Sequence, residues 1–213
     1  MNPRPRKATL LRWLPDSLVL TRGPRAGRAV YLSFDDGPDP ECTPRLLDLL
    51  ASHNARASFF LIGERAERYP GLVERLVAEG HLLGNHSYSH ARFETLPLAT
   101  QLDDIARTDR VLCAFDHRVL HRFRPPYGVL PFRLVMHCAW RRRNIAYWSY
   151  DSLDYQDRSA QELAGLLRRQ PPRIGDIVLM HDNREHTIAL LEMLLPEWHE
   201  QGLALEALPP MSS

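Results

Sequence analysis

The stretch AVYLSFDDGP, residues 29–38, joins a short apolar run to two adjacent carboxylates and a Gly-Pro turn. An apolar run that stops at turn residues is typical of a buried strand. Two neighbouring carboxylates at the end of such a strand are unfavourable unless a cation or hydrogen bonds stabilise them. Alone, the stretch also fits an ordinary strand followed by an Asp-Gly-Pro turn, so its chemistry depends on the rest of the chain.

Similar apolar runs recur and alternate with longer amphipathic segments. Strands are predicted at Ala29–Phe34, Ala57–Ile62, His81–Gly84, Leu120–Phe123, Asn144–Ser149, Ile177–Met180 and Leu203–Leu208. Helices are predicted at Thr43–His53, Pro70–Glu79, Leu98–Phe115, Pro131–Arg143, Ala160–Arg169 and Thr187–Gln201. This alternation predicts βα units in an α/β fold with a mainly parallel sheet, either closed as a (β/α) barrel or open and doubly wound.

The composition of the 213 residues excludes several classes of function. Lys7 is the one lysine among 27 basic residues, and it lies in a Pro/Arg-rich terminus, which argues against Schiff-base or phosphate-loop lysine chemistry. A formal net charge of +1 argues against nucleic-acid binding. Hydrophobic content of 44% and charged content of 25% are ordinary for a globular chain.

The first thirty residues are strongly basic, with seven basic side chains against the single acid Asp16. We therefore divide the chain into a basic N-terminal leader, residues 1–28, and one catalytic domain, residues 29–213. The apolar stretch 10–20 is interrupted by Arg12, Pro15 and Asp16, which is unlike a signal peptide, and no window reaches the ~20 apolar residues of a membrane span. These features predict a cytoplasmic protein, with peripheral contact to the inner membrane face through the basic terminus as the alternative.

Polar residues follow several predicted strands at the point where each strand ends. They are Asp35, Asp36, His86, His90, Arg124, Asp151, Asp154 and His181. Because the carboxyl ends of parallel strands converge on one rim, where active sites lie in αβ folds, we expect these side chains to meet.

His86 and His90 stand at positions i and i+4, so they could reach one ion from a helical turn, as in the HExxH zinc pattern. No Glu lies between them, and the segment also fits a plain polar loop. With Asp36, the two imidazoles make a three-ligand set that leaves a coordination position open, as in catalytic zinc sites.

Two other segments could also have purely structural roles. Arg124 precedes Pro125 and Pro126, so the segment fits either a rigid turn with a surface Arg or an Arg held to bind a carboxylate. His181 ends an apolar strand, where a structural histidine is the commoner outcome.

Together and in this order, five segments resemble the polysaccharide deacetylase family, carbohydrate esterase family 4, which shares the NodB homology domain. The family motifs are (T/S)FDDG, H(S/T)xxH, RxPxG, DxxDW and LxH, and this chain has SFDDG, HSYSH, RPPYG, DSLDY and LMH. The resemblance covers about residues 29–208. It implies a distorted (β/α) barrel with about seven parallel strands in a single domain.

The resemblance also implies a role for each matching residue. The metal ligands would be Asp36, His86 and His90, with zinc as the expected divalent ion and cobalt or nickel as substitutes. Asp35 would be the general base held by Arg124, His181 the general acid tuned by Asp154, and the Tyr127 backbone N–H an oxyanion donor. One departure is Tyr155, which stands where the family has Trp beside the acetyl group.

The activity implied is a metal-dependent hydrolase that removes the N-acetyl group from an amino sugar and releases acetate. Its partner would be an N-acetylated glycan, either an oligo- or polysaccharide or a lipid-linked precursor. Because Tyr155 replaces the family Trp, an O-acetyl esterase or a deformylase acting on a related glycan is an alternative activity. A catalytically inactive glycan-binding barrel should lack a ligand, base or acid, and none is missing here.

Overall fold

A computed structural model describes residues 3–25 and 27–211. Within these ranges the helices are α1 Arg6–Leu11, α2 Cys42–Ser52, α3 Gly63–Arg68, α4 Pro70–Ala78, α5 Leu98–Asp116, α6 Phe132–Trp140, α7 Ala160–Arg169 and α8 Glu185–Glu200. The strands are β1 Val19–Leu20, β2 Ala29–Asp35, β3 Ser58–Leu61, β4 Leu82–Asn85, β5 Ile145–Ala146, β6 Tyr150–Asp151, β7 Ile177–His181 and β8 Ala204–Glu206.

The strands form a nearly closed ring. Strands β4, β3, β2, β7 and β6 pair in that order, all parallel, and β8 pairs with the start of β2. On the other side, single bridges connect Phe123 to Asn85 of β4 and to Ile145 of β5. Strands β5 and β6 follow each other closely in the chain, within residues 145–151, and β6 pairs with β7. The ring of strands therefore continues from β5 through β6 back to β7. The predicted distorted (β/α) barrel in a single domain is therefore confirmed.

Side chains on the central strands alternate between two cores, as the period of a strand requires. On β2, Val30, Leu32 and Phe34 pack outward into the cluster formed with helices α2, α4, α7 and α8. The intervening Tyr31 joins a second cluster inside the barrel. By the same alternation Asp35 faces the interior, at the end of the strand.

Most predicted elements are confirmed within a few residues, but two strand predictions are wrong in extent. Residues 120–123 form no continuous strand, because only Phe123 makes bridges before the chain enters Pro125 and Pro126, which have no N–H to donate. The segment 144–149 is a strand only at Ile145–Ala146, and the chain pairs again at Tyr150–Asp151.

Part of the predicted leader packs against the barrel. Val19 and Leu20 pair in parallel with β5, and Ala8 of α1 is buried in the interior cluster. The buried Asp176 carboxylate forms ion pairs with Arg4 and Arg22, each with a nitrogen–oxygen distance of 2.8 Å. Residues 3–25 therefore contribute to the folded body. No helix in the described ranges combines the length and apolar character of a membrane span.

Candidate active site

The register between β2 and β7 brings together a carboxylate and an imidazole that are far apart in sequence. Asp35 and His181 are cross-strand partners at the carboxyl ends of these strands. Each follows inward-facing residues at alternate positions, so both side chains lie at the mouth of the barrel interior. The pairing is a consequence of the strand register.

Asp35 is buried and paired with a fully buried arginine. Nη1 of Arg124 donates to Asp35 Oδ1 at 2.7 Å and to Ser33 Oγ at 2.9 Å, while Nε donates to the Ala146 carbonyl at 3.3 Å. The guanidinium also lies 3.9 Å from the centroid of the Phe60 ring. Burial lowers the pKa of Arg124, and the neighbouring Asp35 opposes this shift.

Asp36, His86 and His90 converge on one point. Nε2 of His90 lies 3.1 Å from Asp36 Oδ1, and Nε2 of His86 lies 3.5 Å from the same oxygen. The three donor atoms lie within 4.8 Å of one another. Burial would raise the pKa of Asp36, but the two imidazoles outweigh it and hold that pKa far below its usual range.

The donor set fits a divalent transition metal. His86 Nδ1 donates a hydrogen bond to the Arg124 carbonyl at 2.7 Å. In the neutral imidazole the lone pair is then on Nε2, which faces Asp36. Two imidazoles and one carboxylate are ligands that zinc, cobalt and nickel accept. The predicted ligands therefore lie where a metal site requires them.

The backbone that carries the two histidines corrects one expectation. Residues 86–90 are not a helical turn, because Ser87 and His90 have φ values of 65° and 55°. Ser87 Oγ instead accepts a hydrogen bond from the His90 N–H at 3.1 Å. A spacing of four brings the rings together, with centroids 5.0 Å apart, through a tight loop.

A buried polar network supports this loop from below. Asn85 Oδ1 accepts the Ser87 N–H at 2.9 Å, and Asn85 Nδ2 donates to Asp109 Oδ1 at 2.9 Å. Asp109 is in turn paired with Arg143 and His121. The ligand loop is therefore connected to α5 and to the segment preceding β5.

His181 is paired with a fully buried carboxylate. Its Nδ1 lies 2.8 Å from Asp154 Oδ1, and its backbone N–H donates to Asp154 Oδ2 at 2.7 Å. Thr187 Oγ1 donates to the same Oδ2 at 2.7 Å. Burial would lower the pKa of His181, but Asp154 outweighs it and, with Asp35 and Asp36, raises this pKa to about 9. The imidazole is thus charged at neutral pH, with Nε2 left for the cavity.

These groups surround one cavity of about 460 Å³. It is lined by Asp35, Asp36, His86, His90, Tyr127, Gly128, Trp148, Asp151, Tyr155, Leu179, His181 and Arg184. Tyr155 packs edge-on against His181, with ring centroids 5.8 Å apart, so it forms the cavity wall beside His181. Burial raises the pKa of Asp151 to about 6.

The structure brings all the predicted site residues together. Six of them line the cavity, while Arg124 and Asp154 lie directly behind Asp35 and His181. The sequence reasoning missed Trp148, which lies in an apolar run with no chemical signal, and Arg184, which precedes α8. The proximity of Arg184 to His181 along the chain was the available signal.

The family assignment follows from comparison with known proteins. A family model described as polysaccharide deacetylase matches residues 22–136. The chain belongs to the polysaccharide deacetylase family. The predicted resemblance is thereby confirmed.

Individual relatives of this family member share most of its length. A peptidoglycan-N-acetylglucosamine deacetylase from Bacillus cereus is 32% identical over 93% of this chain and 74% of its own. A chitooligosaccharide deacetylase from a Bradyrhizobium species is 32% identical, covering 86% of this chain and 90% of its own. The crystal structure of the peptidoglycan N-acetylglucosamine deacetylase Bc1960 superimposes with a TM-score of 0.86 at 31% identity, covering 94% of this chain and 95% of that one. The predicted enzyme class, a carbohydrate deacetylase, agrees with these names.

Proposed function

We propose that this protein is a metal-dependent deacetylase that hydrolyses the N-acetyl group of an amino sugar in a glycan. The observation that carries the proposal is the convergence of three units on one cavity: Asp35 with Arg124, the ligand set Asp36, His86 and His90, and His181 with Asp154. The names of the relatives support N-acetylglucosamine polymers or chitooligosaccharides as the substrate class.

The base in this proposal is Asp35. Its Oδ1 is occupied by Arg124, so Oδ2 is the oxygen that accepts a proton from the attacking water. The Arg124 guanidinium, hydrogen-bonded to Oδ1, orients the carboxylate. Asp36, His86 and His90 would hold a divalent ion, zinc in this proposal, which would supply Lewis-acid polarisation of the acetyl carbonyl and a lowered pKa of water.

The acid in this proposal is His181. Its Nδ1 is committed to Asp154, so Nε2 donates the proton to the leaving amine of the sugar. The backbone N–H of Tyr127, at the wall of the cavity, is the proposed donor to the oxyanion. A donor of this type contributes about 10²–10³ in rate.

The test is acetate release from N-acetylated chitooligosaccharides and from peptidoglycan fragments, measured with and without a chelator. His86→Ala should lose bound metal by mass spectrometry, whereas Asp35→Asn should keep the metal and lose turnover. His199→Ala, an exposed histidine on α8, is the control that should change neither. Normal acetate release by Asp35→Asn would contradict the proposal, and a wild type that binds metal and glycan but releases no acetate would favour the inactive barrel.

Tyr155 supports one alternative, hydrolysis of a different acyl group. Its ring forms the wall beside His181 where the family motif has Trp, and its hydroxyl lies 3.5 Å from Asp151 Oδ2. A changed wall can alter which acyl group fits. A panel of N-acetyl, N-formyl and O-acetyl sugars separates a deacetylase from a deformylase or an esterase.

A further inference from the structure

An apolar stripe runs along the exposed side of α6. Phe132, Met136 and Trp140 recur every four residues and are 77%, 54% and 74% exposed. The opposite side of the helix buries Leu134 and Cys138 in the interior cluster. The stripe is therefore a second apolar face on a helix that already has its core partner.

The remaining exposed apolar side chains lie close to this stripe along the fold. Besides Tyr127 and Tyr155, which line the cavity, the large exposed hydrophobics of the described ranges are Leu10, Trp13, Val119, Phe132, Met136 and Trp140. Leu10 and Trp13 belong to α1 and the turn after it, and the residues that follow this turn, Pro15 to Leu18, line one groove with Ala139 of α6 and Arg142. Val119 lines a groove with Arg141 and Arg142. Such concentration marks an interaction surface.

The segment of the chain that carries the stripe contains basic residues and no acidic ones. Residues 117–150 contain seven arginines and no Asp or Glu. Three of these arginines are engaged inside the molecule, with Asn144, Asp35 and Asp109. Arg133, Arg141 and Arg142, on α6 or directly after it, are exposed.

We infer that the face formed by Leu10, Trp13, Phe132, Met136, Trp140 and the flanking arginines docks on the surface of an anionic phospholipid membrane. Exposed Trp beside Arg, with no acidic residue between positions 117 and 150, matches the interface between headgroups and acyl chains. Arginines at such a surface gain from the negative potential of anionic lipids.

One end of this face is close along the chain to the wall of the cavity. Phe132 follows Gly128, which lines the cavity, by four residues, and Tyr127 lies beside it at the rim. Docking through α6 would therefore hold the cavity near the membrane surface. The membrane inference itself rests on the exposed face and its charge, and it does not depend on the proposed reaction.

The test is co-sedimentation of the full chain with vesicles of pure phosphatidylcholine or of phosphatidylcholine mixed with phosphatidylglycerol. Binding should require phosphatidylglycerol and weaken with added salt. Trp140→Ala should weaken it about tenfold or more. The double variant Arg141→Glu and Arg142→Glu should also weaken it, whereas Arg169→Glu, an exposed arginine on α7, should not.

Two further measurements keep the outcomes distinct. All variants should retain the wild-type melting temperature and the wild-type rate on a soluble substrate, because the altered side chains are exposed and outside the cavity. Failure of the wild type to bind mixed vesicles, or equal binding by Trp140→Ala, would overturn the inference. Light scattering that shows a dimer dissociated by Trp140→Ala would assign the face to a second copy of the chain and also overturn it.

Discussion

Asp154→Asn should move the alkaline fall of the deacetylation rate to lower pH. The carboxylate lies 2.8 Å from His181 Nδ1 and outweighs the burial that would lower the pKa of His181. Asparagine keeps the size and one accepting oxygen but removes the charge. The pKa of His181 should therefore fall from about 9 toward the ordinary histidine value of about 6.5.

The size of the effect follows from the two protonation states. At pH 8, a group of pKa about 9 is about 90% protonated, and one of pKa about 6.5 is about 3% protonated. The amount of acid form thus falls about 30-fold, equivalent to about 2 kcal/mol. At pH 6 the same change lowers the acid form by less than about twofold. Activity that depends on protonated His181 should fall as pH rises, and fall earlier in the variant.

The assay is kcat/KM for acetate release from a soluble chitooligosaccharide between pH 6 and pH 9. Asp103→Asn, an exposed carboxylate on α5, is the control and should leave the profile unchanged. An equal loss at pH 6 and pH 8, with the alkaline limb unmoved, would refute the reasoning. Asp154 would then shape the site without setting the charge of His181.

Three other substitutions test the structure behind the cavity. Asn85→Ala should lower metal affinity about 10–100-fold in a chelator competition, because the hydrogen bond that holds the ligand loop is lost. Gly37→Ala should destabilise by about 1–3 kcal/mol in thermal unfolding, because its Cβ would lie 1.9 Å from the buried Asp182 Oδ2, whereas Gly71→Ala meets open space and should not. Tyr155→Trp should lower kcat/KM for N-propionyl relative to N-acetyl substrates, because the larger ring narrows the wall beside His181.

Much of the site was predictable because its residues are placed by strands. Asp35 and His181 lie at strand ends, and the period of two together with the parallel register brings them to one place. An apolar run that stops at a polar residue marks such a position in the sequence. The resemblance to the family then implied roles for Arg124 and Asp154, which lie behind the cavity.

The less regular parts could not be predicted from hydrophobic periodicity. The segment 120–123 is as apolar as a strand, yet it contributes only Phe123 to bridges. Val19 and Leu20 pair with β5 although the basic composition around them resembles a leader. Both outcomes depend on partners distant in sequence, and local patterns carry no information about those partners.

The shape of the site also depends on backbone conformations that residues other than glycine rarely adopt. Asp36, Ser87, His90, Tyr127 and Leu153 all have positive φ values and all lie in the motif loops around the cavity. Each such conformation is unfavourable by roughly 1–3 kcal/mol, so it persists only where the surrounding structure imposes it. The observed restraints are hydrogen bonds from neighbouring buried groups, such as the Leu153 N–H to Asp151 Oδ1 at 2.9 Å. The motifs therefore specify a strained loop geometry as well as reactive groups, and a substitution that leaves every ligand in place can still weaken the site.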